Sequence, residues 1–486
     1  MEVVIDGTAY VPKSEVENTP RFGIAVTTHD RNDVLKSTLE RIKRHTPDGV
    51  PVVVVDDASR KPVVGADFRF SHNVGIAQAK NKCLELLYNL GCEHFFLFDD
   101  DSYPLVDEWW KPYIDSPEPH LMAIFDRPKG VSKTQVEVLY EDDQHVAYHA
   151  TRGYMIYVTR KVLDTVGGYD PGFGKWGWEH QSWSDRIHSA GLTTWRYADV
   201  KGSSELIYSM DQFNESKSTA TTEAKRFSEG PGFELRMASR HSGHYIEFRE
   251  LEDVVLTWLL TSQADPQRGR SLKSDSAELK ALHDSLKHDG KFVVLSSGMN
   301  DTRHIPNATV VEVSQGVNPY FERWLATYRW LRDNPQVGRV WCVDGTDVQM
   351  LRDPFPEMEE GVLYAGYEPK TLRDEWMVKH HPDSTLQKFM KGNPNLPLVN
   401  AGVMGGDRAT VMGFAHRLVK MYFDDWIDFI YGWEHTRLNS EQAGDMGAFN
   451  YVARTEYADV LSSGPHVTTI FKGEEKNNRT AWWKHK

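Results

Sequence analysis

Residues 95–104 read FFLFDDDSYP, a run of four apolar residues that leads directly into three consecutive aspartates. The apolar run predicts a buried β-strand. Asp99, Asp100 and Asp101 then crowd like charges at its carboxyl end, which favours a cation opposite them. Because side chains alternate along a strand, we expect Asp99 and Asp101 on one side and Asp100 on the other. A cap of the following turn is the alternative interpretation.

The sequence around this stretch alternates short apolar runs with amphipathic helical runs, the pattern of βαβ units. FGIAVTT (22–28) and VPVVVVDDAS (50–59) predict further strands, and GIAQAKNKCLELLYNLG (75–91) predicts a helix. Parallel strands bring their carboxyl ends to one edge of the sheet, where ligands bind. Asp56 and Asp57 are therefore expected beside the three aspartates in one crevice.

A second α/β pattern begins at KFVVLSSG (291–298) and includes RVWCVDGTDVQML (339–351). There an apolar strand ends in Asp344, and the Gly-Thr pair that follows predicts a turn that lets Asp347 converge with it. An Asp-Gly hairpin turn is the alternative.

At 486 residues the chain is too long for one hydrophobic core, so we expect two domains. The predicted α/β fold has an N-terminal extension (1–20), a first domain (21–245), a helical linker (246–290) and a second domain (291–486). The linker is predicted because YIEFRELEDVVLTWLLTSQ (245–263) reads as a helix followed by a charged connection.

Composition limits the function classes. The formal net charge of −14 disfavours duplex nucleic acid as a partner. Three cysteines without metal-binding spacing indicate a reducing compartment, and we expect the cytoplasm. The N-terminal stretch is too polar for a signal peptide, and no apolar run of about 18 residues predicts a membrane span.

Two carboxylates at one strand end form an oxygen-only ligand set, which suits Mg²⁺ or Mn²⁺. Such ions fill their remaining positions with water and phosphate oxygens, so a nucleotide diphosphate is the expected partner of Asp99 and Asp101.

The order VVVVDDAS, SHNVGIAQAKN, FFLFDDD resembles the nucleotide-binding half of family 2 glycosyltransferases of the GT-A fold, over residues 22–212. The resemblance implies that an acid after the early strand holds the uracil or ribose, and that Asp99 and Asp101 hold metal and diphosphate. The residues that it places at the nucleotide sugar are Thr27, Arg31, Asp56, Asp57, Asn73, Gly75 and Asp100.

Further along, GGYDPGFGKWGWEHQSWSDRIHSAG (167–191) is similar to the acceptor-side motif of galactosyltransferase-like enzymes. It implies that Trp176 and Trp178 lie beside the sugar. Where the family has a general-base aspartate, this chain has Glu179 followed by His180. We favour Glu179 as acceptor ligand or base, with His180 as the rival, and both inverting and retaining transfer remain open.

In the second half, VNAGVMGG (399–406), EQAGDMGAFN (441–450) and GPHVTTIFKG (464–473) follow in the order of family 8-like retaining glycosyltransferases. This resemblance implies donor contacts from Asn400, Gly402 and Asp445, a metal site of Asp344, Asp347 and His466, and a diphosphate contact from Lys472. The chain departs from the family by an extra residue between the two aspartates. It also has Met446 where Gln is common, and no Pro-Trp after Lys472. The basic tail KNNRTAWWKHK (476–486) is expected to be a frayed terminus, with a diphosphate-loop contact as the alternative.

Together these features predict a metal-dependent, bifunctional glycosyltransferase that transfers sugars from nucleotide diphosphates, with a UDP-sugar expected, to a protein or glycan hydroxyl. One alternative is a nucleotide-sugar-binding scaffold with one or both domains inactive. A glycosyltransferase acting on hydroxylated DNA bases is the other, and the acidic charge balance counts against it.

Overall fold

The structure is a computed structural model that describes residues 3–5, 8–10, 21–124, 136–216, 221–264, 269, 273–431, 444–464, 466–469 and 480–485. The chain divides into two compact units, Met1–Glu250 and Leu251–Lys486. Both are mixed α/β with sheets that contain parallel strands, which confirms the predicted α/β class.

The strands of the first unit are β1 (Val3–Ile5), β2 (Thr8–Tyr10), β3 (Phe22–Thr28), β4 (Val52–Asp56), β5 (Phe68–Arg69), β6 (His94–Asp99), β7 (Ser102–Pro104), β8 (His120–Met122), β9 (Val138–Glu141), β10 (His145–Tyr148), β11 (Met155–Thr159), β12 (Ala198–Val200) and β13 (Ile207–Ser209). Its α-helices are Asn32–Arg44, Ile76–Asn89, Lys111–Ile114, Arg160–Val166, Glu179–Ser189, Ser203–Leu206, Thr222–Phe227 and Phe233–Ser239.

The main sheet of this unit has the order β5-β4-β3-β6-β11-β8. Strands β3 to β6 run parallel, and β11 is antiparallel to β6 and β8. Both faces are covered, because Phe95 and Leu97 of β6 enter one hydrophobic cluster while Phe96 and Phe98 enter another. Helix Ile76–Asn89 packs on the first of these faces, against β3 and β4. Because side chains alternate along β6, Asp99 at its end points to the same face as Phe95 and Leu97, toward this helix.

The strands of the second unit are β14 (Glu252–Leu260), β15 (Lys291–Ser297), β16 (Thr309–Glu312), β17 (Val337–Asp344), β18 (Val348–Met350), β19 (Leu363–Thr371), β20 (Pro397–Asp407), β21 (Leu461–Ser463), β22 (Val467–Thr469) and β23 (Trp483–His485). Its α-helices are Lys280–Ser285, Pro319–Asp333, Glu375–His380, Ser384–Gly392, Arg408–Tyr431 and Met446–Thr455.

The main sheet of the second unit has the order β16-β15-β14-β17-β20-β19-β21, and β18-β23-β22 form a small separate sheet. The helix predicted for 245–263 is wrong, and residues 246–290 are not a helical linker: β14 lies inside the sheet, parallel to both β15 and β17. Val254 to Leu260 are all buried. A strand covered on both faces reads as a continuous apolar run, which periodicity cannot tell from a buried helix.

The tail predicted as a frayed terminus instead contributes a buried strand. Trp482 and Trp483 are 1% and 0% exposed, and β23 pairs with β18 and β22. The rings of Trp482 and Trp483 pack on Trp341 of β17, with ring centroids 5.9 and 5.6 Å apart. Burial of two indoles supplies the apolar area that fixes this strand.

Within the described residues, each helix is too short or too polar to cross a lipid bilayer.

Candidate active site

A cleft of about 660 Å³ opens in the first unit where β3, β4 and β6 end. The predicted residues that line it are Arg31, Asp57, Asn73, Gly75, Asp99, Asp101, Trp176, Trp178, Glu179 and His180. Of the predicted residues in the described part of this unit, Thr27, Asp56 and Asp100 are not in its lining. The cleft thus gathers segments that lie more than a hundred residues apart in the chain.

Two protein cations meet the aspartate run. The ammonium of Lys80, on helix Ile76–Asn89, lies 2.8 Å from Oδ1 of Asp99 and is completely buried. Arg31 donates to Oδ2 of Asp101 at 2.9 Å and also pairs with Asp100. Asp99 and Asp100 therefore face opposite sides as predicted, but Asp101 shares a partner with Asp100. The strand ends at Asp99, so alternation does not extend to the turn residue Asp101.

Asp100 is the most enclosed of these acids. Thr28 donates its hydroxyl to Oδ2 of Asp100 at 2.6 Å, and Thr38 donates to its carbonyl at 2.6 Å. Burial raises the pKa of Asp100 to about 7, although Arg31 and the Thr28 hydroxyl favour the charged form. Asp100 therefore anchors the first loop and lies outside the lining of the cleft.

A divalent ion at Asp99 and Asp101 would have to share these carboxylates with Lys80 and Arg31. Among the described residues, no group of three carboxylate or imidazole ligands includes either aspartate. Neither histidine near the end of this unit supplies a third ligand: Nδ1 of His244 is hydrogen-bonded to the Ser242 hydroxyl at 2.8 Å, and His241 is in no such group. The residues present do not by themselves fit a metal site at this position.

Asp56 and Asp57, predicted to contact the nucleotide, organise the loops that follow β4. Both oxygens of Asp57 accept: Oδ1 from the amide of Val74 at 2.7 Å, and Oδ2 from the amide of Gly75 and the side chain of Asn73, each at 2.9 Å. Burial raises the pKa of Asp57, while the amides of Val74 and Gly75 oppose the shift. The buried Asp56 accepts from the Ser59 and Val63 amides and from Arg69.

Gly75 joins this loop to the acceptor-side motif. Its φ and ψ are 91° and 173°, a region open essentially to glycine alone. A Cβ at this position would lie 2.4 Å from Cα of Lys175, and the amide of Ile76 donates to the Lys175 carbonyl at 3.3 Å. The Asn-x-Gly segment therefore packs directly against the segment that carries Trp176.

We expect Gly75→Ala to lower the free energy of unfolding by about 2–4 kcal/mol, because both the backbone angle and the contact with Lys175 exclude a Cβ. Gly65→Ala is the matched control: its φ is +81°, but a Cβ would meet nothing within 4 Å. The control should lose only about 1 kcal/mol in urea unfolding. Equal losses would contradict the close packing at Gly75.

The acceptor-side acid, Glu179, begins helix Glu179–Ser189 and is 4% exposed. Its Oε1 lies 3.3 Å from Nε2 of His180, and its Oε2 is buried without a hydrogen-bond partner. Burial raises the pKa of Glu179, which backbone N–H groups and Lys80 oppose. Burial, followed by Lys80 and His120, lowers the pKa of His180 well below its usual value. The pair is a basic carboxylate beside a neutral imidazole.

The space for His180 depends on a glycine. A Cβ on Gly153 would lie 2.0 Å from Cδ2 of His180, and the ring of Tyr169 packs edge-on against the imidazole with centroids 5.6 Å apart. Nδ1 of His180 and the hydroxyl of Tyr169 are buried without hydrogen-bond partners. Unsatisfied buried polar atoms are rare in native structures, which makes these two candidates for contact with a ligand.

Trp176 and Trp178, which were predicted to lie beside the sugar, both line the cleft. Trp178 also makes contacts that hold its ring in place. Its indole N–H donates to the Ser228 carbonyl at 2.7 Å, and its ring packs against Phe233.

Lys80, Gly153 and Tyr169 are among the residues around this cleft that the sequence interpretation missed. A signal was present for Lys80, which lies on the same helical stripe as Ile76, Cys83 and Leu87. A lysine in an apolar stripe is buried, and a buried ammonium needs an acid opposite it.

The second candidate centre lies at the end of β17. One ligand atom from each of Asp344, Asp347 and His485 lies within 4.8 Å of the others. The hairpin alternative for Asp344 and Asp347 is wrong, since β18 pairs with β23 and not with β17. The turn between β17 and β18 therefore brings Asp344 and Asp347 close together, as the sequence predicts.

These three residues fit a divalent ion. Oδ1 of Asp347 and Nδ1 of His485 are buried without hydrogen-bond partners. A Cβ on Gly402 would lie 2.5 Å from Oδ2 of Asp344 and 2.8 Å from Cε1 of His485, so the glycine leaves open the space between them. Carboxylate and imidazole groups are ordinary ligands of divalent metal ions.

The histidine of this group is His485 and not the predicted His466. The ring of His466 stacks on Trp482 with centroids 3.9 Å apart, and its carbonyl accepts from the amides of Trp482 and Trp483 at 2.8 and 3.1 Å. Burial lowers the pKa of His466. His466 therefore anchors the strand that carries His485. The predicted diphosphate ligand Lys472 lies outside the described residues.

Asn400, Gly402 and Asp445, also predicted to contact the donor, are close to the group of three possible metal ligands. Oδ1 of Asn400 accepts from the Gly402 amide, and its amide donates to Glu368, both at 2.6 Å. Asp445 is 2% exposed, and its Oδ2 accepts from Arg323 at 2.5 and 2.9 Å and from the Trp324 indole at 2.6 Å. Arg323 also donates to Oδ1 of Asp344 at 2.7 Å, so Asp445 holds the arginine that orients Asp344.

A scan against protein-family models finds no match, and a search of curated proteins finds no relative. The resemblance to glycosyltransferases therefore rests on the sequence motifs described above.

Proposed function

We propose that the chain is a nucleotide-sugar-dependent glycosyltransferase in which the cleft of the first unit binds donor and acceptor. The observation that carries the proposal is the meeting of three motif segments in one cleft: the Asn73–Gly75 loop, the aspartates after β6, and Glu179 with His180. The parallel strands bring the first two segments to one edge of the sheet, and Glu179 with His180 joins them there. Ligands of α/β sheets bind at this edge.

In the proposed reaction Glu179 is the general base. Its carboxylate would take the proton of the acceptor hydroxyl as the sugar carbon is attacked. His180, neutral and 3.3 Å from Oε1 of Glu179, would orient that carboxylate. Arg31 lines the cleft beside Asp101 and is placed to face negative charge that develops on the leaving diphosphate.

We propose that the second unit is also a GT-A-like nucleotide-sugar domain and that Asp344, Asp347 and His485 hold its Mn²⁺ or Mg²⁺. When bound, such an ion neutralises a departing diphosphate. Asn400 and Gly402, next to this group, would contact the donor. Two sites on one chain would raise the local concentration of an intermediate product. A protein or glycan hydroxyl is the proposed acceptor and a UDP-sugar the proposed donor.

A binding role without turnover is the second candidate for the second unit. The observation that favours it is Asp445, whose Oδ2 accepts hydrogen bonds from Arg323 and Trp324 within the protein. Binding of a nucleoside diphosphate without release of sugar would identify this role.

Release of nucleoside diphosphate from a panel of UDP- and GDP-sugars, with Mn²⁺ present and with protein and glycan acceptors, tests the proposal. In the full chain we expect Asp101→Ala to remove the activity of the first unit and Asp347→Ala that of the second. A loss confined to one variant would assign turnover to one unit. If the wild-type chain neither hydrolyses nor binds any of these donors, the proposal is wrong.

A further inference from the structure

The residue before Glu179 has an unusual backbone conformation. Trp178 has φ 73° and ψ −11°, the left-handed region that bulky residues rarely adopt, and it is the N-cap residue of helix Glu179–Ser189. Its side chain makes no capping hydrogen bond to the helix. Such a conformation persists only where surrounding contacts hold it.

Those contacts come from residues 222–239. The Trp178 indole donates to the Ser228 carbonyl at 2.7 Å, within the π-helical turn Ser228–Gly232. The ring of Phe233 packs edge-on at 5.6 Å, and the guanidinium of Arg236 lies 4.9 Å from the indole centroid. Gly177 permits this approach, because a Cβ there would lie 2.2 Å from the Ser228 hydroxyl oxygen. The indole is held from three sides.

Arg236 also holds the helix that carries Glu179. Its Nε donates to Oδ2 of Asp185 at 3.2 Å, and it donates to the Tyr197 hydroxyl at 2.9 Å. Asp185 lies two turns after Trp178 in the same helix and is completely buried. The Arg236 guanidinium therefore contacts both Trp178, which precedes the first turn, and Asp185, which lies in the body of the helix.

We infer that Trp178 and Arg236 are positioning residues, which hold the first turn of helix Glu179–Ser189 so that the Glu179 carboxylate faces the cleft. The inference rests on the proposed function for the role of Glu179. If Trp178 relaxes to an ordinary helical or extended conformation, the peptide before Glu179 rotates and the carboxylate moves. Displacement of a reacting group by about 1 Å can cost about 100-fold in rate.

Two variants and one control test this inference in the full chain. Trp178→Phe keeps a ring but removes the N–H to Ser228. Arg236→Met removes the guanidinium, while Arg196 and Tyr197 still donate to Oδ1 of Asp185, so no buried charge is left unpaired. Trp110→Phe is the control, since the Trp110 indole nitrogen has no hydrogen-bond partner and its ring packs on Phe22 elsewhere in this unit.

We expect amide hydrogen exchange of residues 179–183 to be about 10-fold faster in both variants, and kcat for sugar transfer to fall about 10- to 100-fold with the donor KM unchanged. The control should match the wild type in both measurements. Wild-type exchange and wild-type kcat in Trp178→Phe would overturn the inference, even if Arg236→Met fails to fold. A wild-type chain without turnover would refute the proposed function alone, because the exchange measurement still decides the positioning role.

Discussion

Glu179→Gln is expected to lower kcat for sugar transfer by about 10²–10⁴-fold, because the amide cannot accept the acceptor proton. The donor KM should stay within about twofold, since the glutamine keeps the size of the side chain and the donor-side residues are unchanged. Initial rates at saturating donor and acceptor, with circular dichroism to verify the fold, provide the measurement.

The pH dependence gives this prediction a second readout. Burial raises the pKa of Glu179 above its ordinary value. A general base works in its deprotonated form, so kcat should rise with pH through this raised pKa and reach a plateau above it. The rising limb should be absent from the residual rate of the glutamine variant.

His180→Gln separates the two candidates for the base. His180 is neutral across the usual pH range because burial lowers its pKa, so its loss removes an orienting contact and not the proton acceptor. We expect a smaller loss, of about 10-fold, with the rising limb retained. A silent Glu179→Gln together with an inactive His180→Gln would assign the base to the histidine.

Asp347→Asn and His485→Ala are each expected to weaken Mn²⁺ binding by at least about 100-fold. Loss of an outer hydrogen-bond partner alone typically costs 10- to 100-fold in metal affinity, and these residues are proposed to be direct ligands. Isothermal titration of the full chain with Mn²⁺, with and without UDP, measures the effect. The same titration with Asp101→Asn tests whether the acids of the first unit bind a second ion beside Lys80 and Arg31.

His304→Ala is the matched control for the metal prediction. His304 belongs to the other group of three possible ligands among the described residues, with Asp275 and Asp301. Ser276 already donates to Asp301 at 2.8 Å and lies 3.2 Å from Nδ1 of His304, so this group is partly satisfied without an ion. Loss of Mn²⁺ binding in His304→Ala, but not in His485→Ala, would place the ion at the group that contains His304 and contradict the proposed centre.

The sequence predicted the elements that depend on local pattern. Strands β3, β4 and β6 and the helix Ile76–Asn89 follow from runs of apolar residues and from helical periodicity, and the acids at the strand ends follow from the order of these elements. The same reasoning failed for β14, because a strand buried on both faces has no alternation to read.

The candidate site was predictable as a set of segments but not as a set of contacts. Asp57, Asn73, Asp101 and Glu179 line one cleft as expected. The sequence did not indicate that both carboxylate oxygens of Asp57 accept hydrogen bonds from the neighbouring loop, or that Oδ2 of Asp445 accepts from Arg323. A carboxylate has the same one-letter code whether it faces a ligand or a neighbouring amide.

What the sequence by itself determined is the α/β class and the position of acids after buried strands, because both arise from spacing along the chain. Only the tertiary structure decided which cation meets each acid, as Lys80 meets Asp99, and which histidine completes the second centre, His485 instead of His466. These choices depend on packing between residues far apart in the chain, such as the buried indoles of Trp482 and Trp483 that fix β23. Such contacts leave no local periodicity to read.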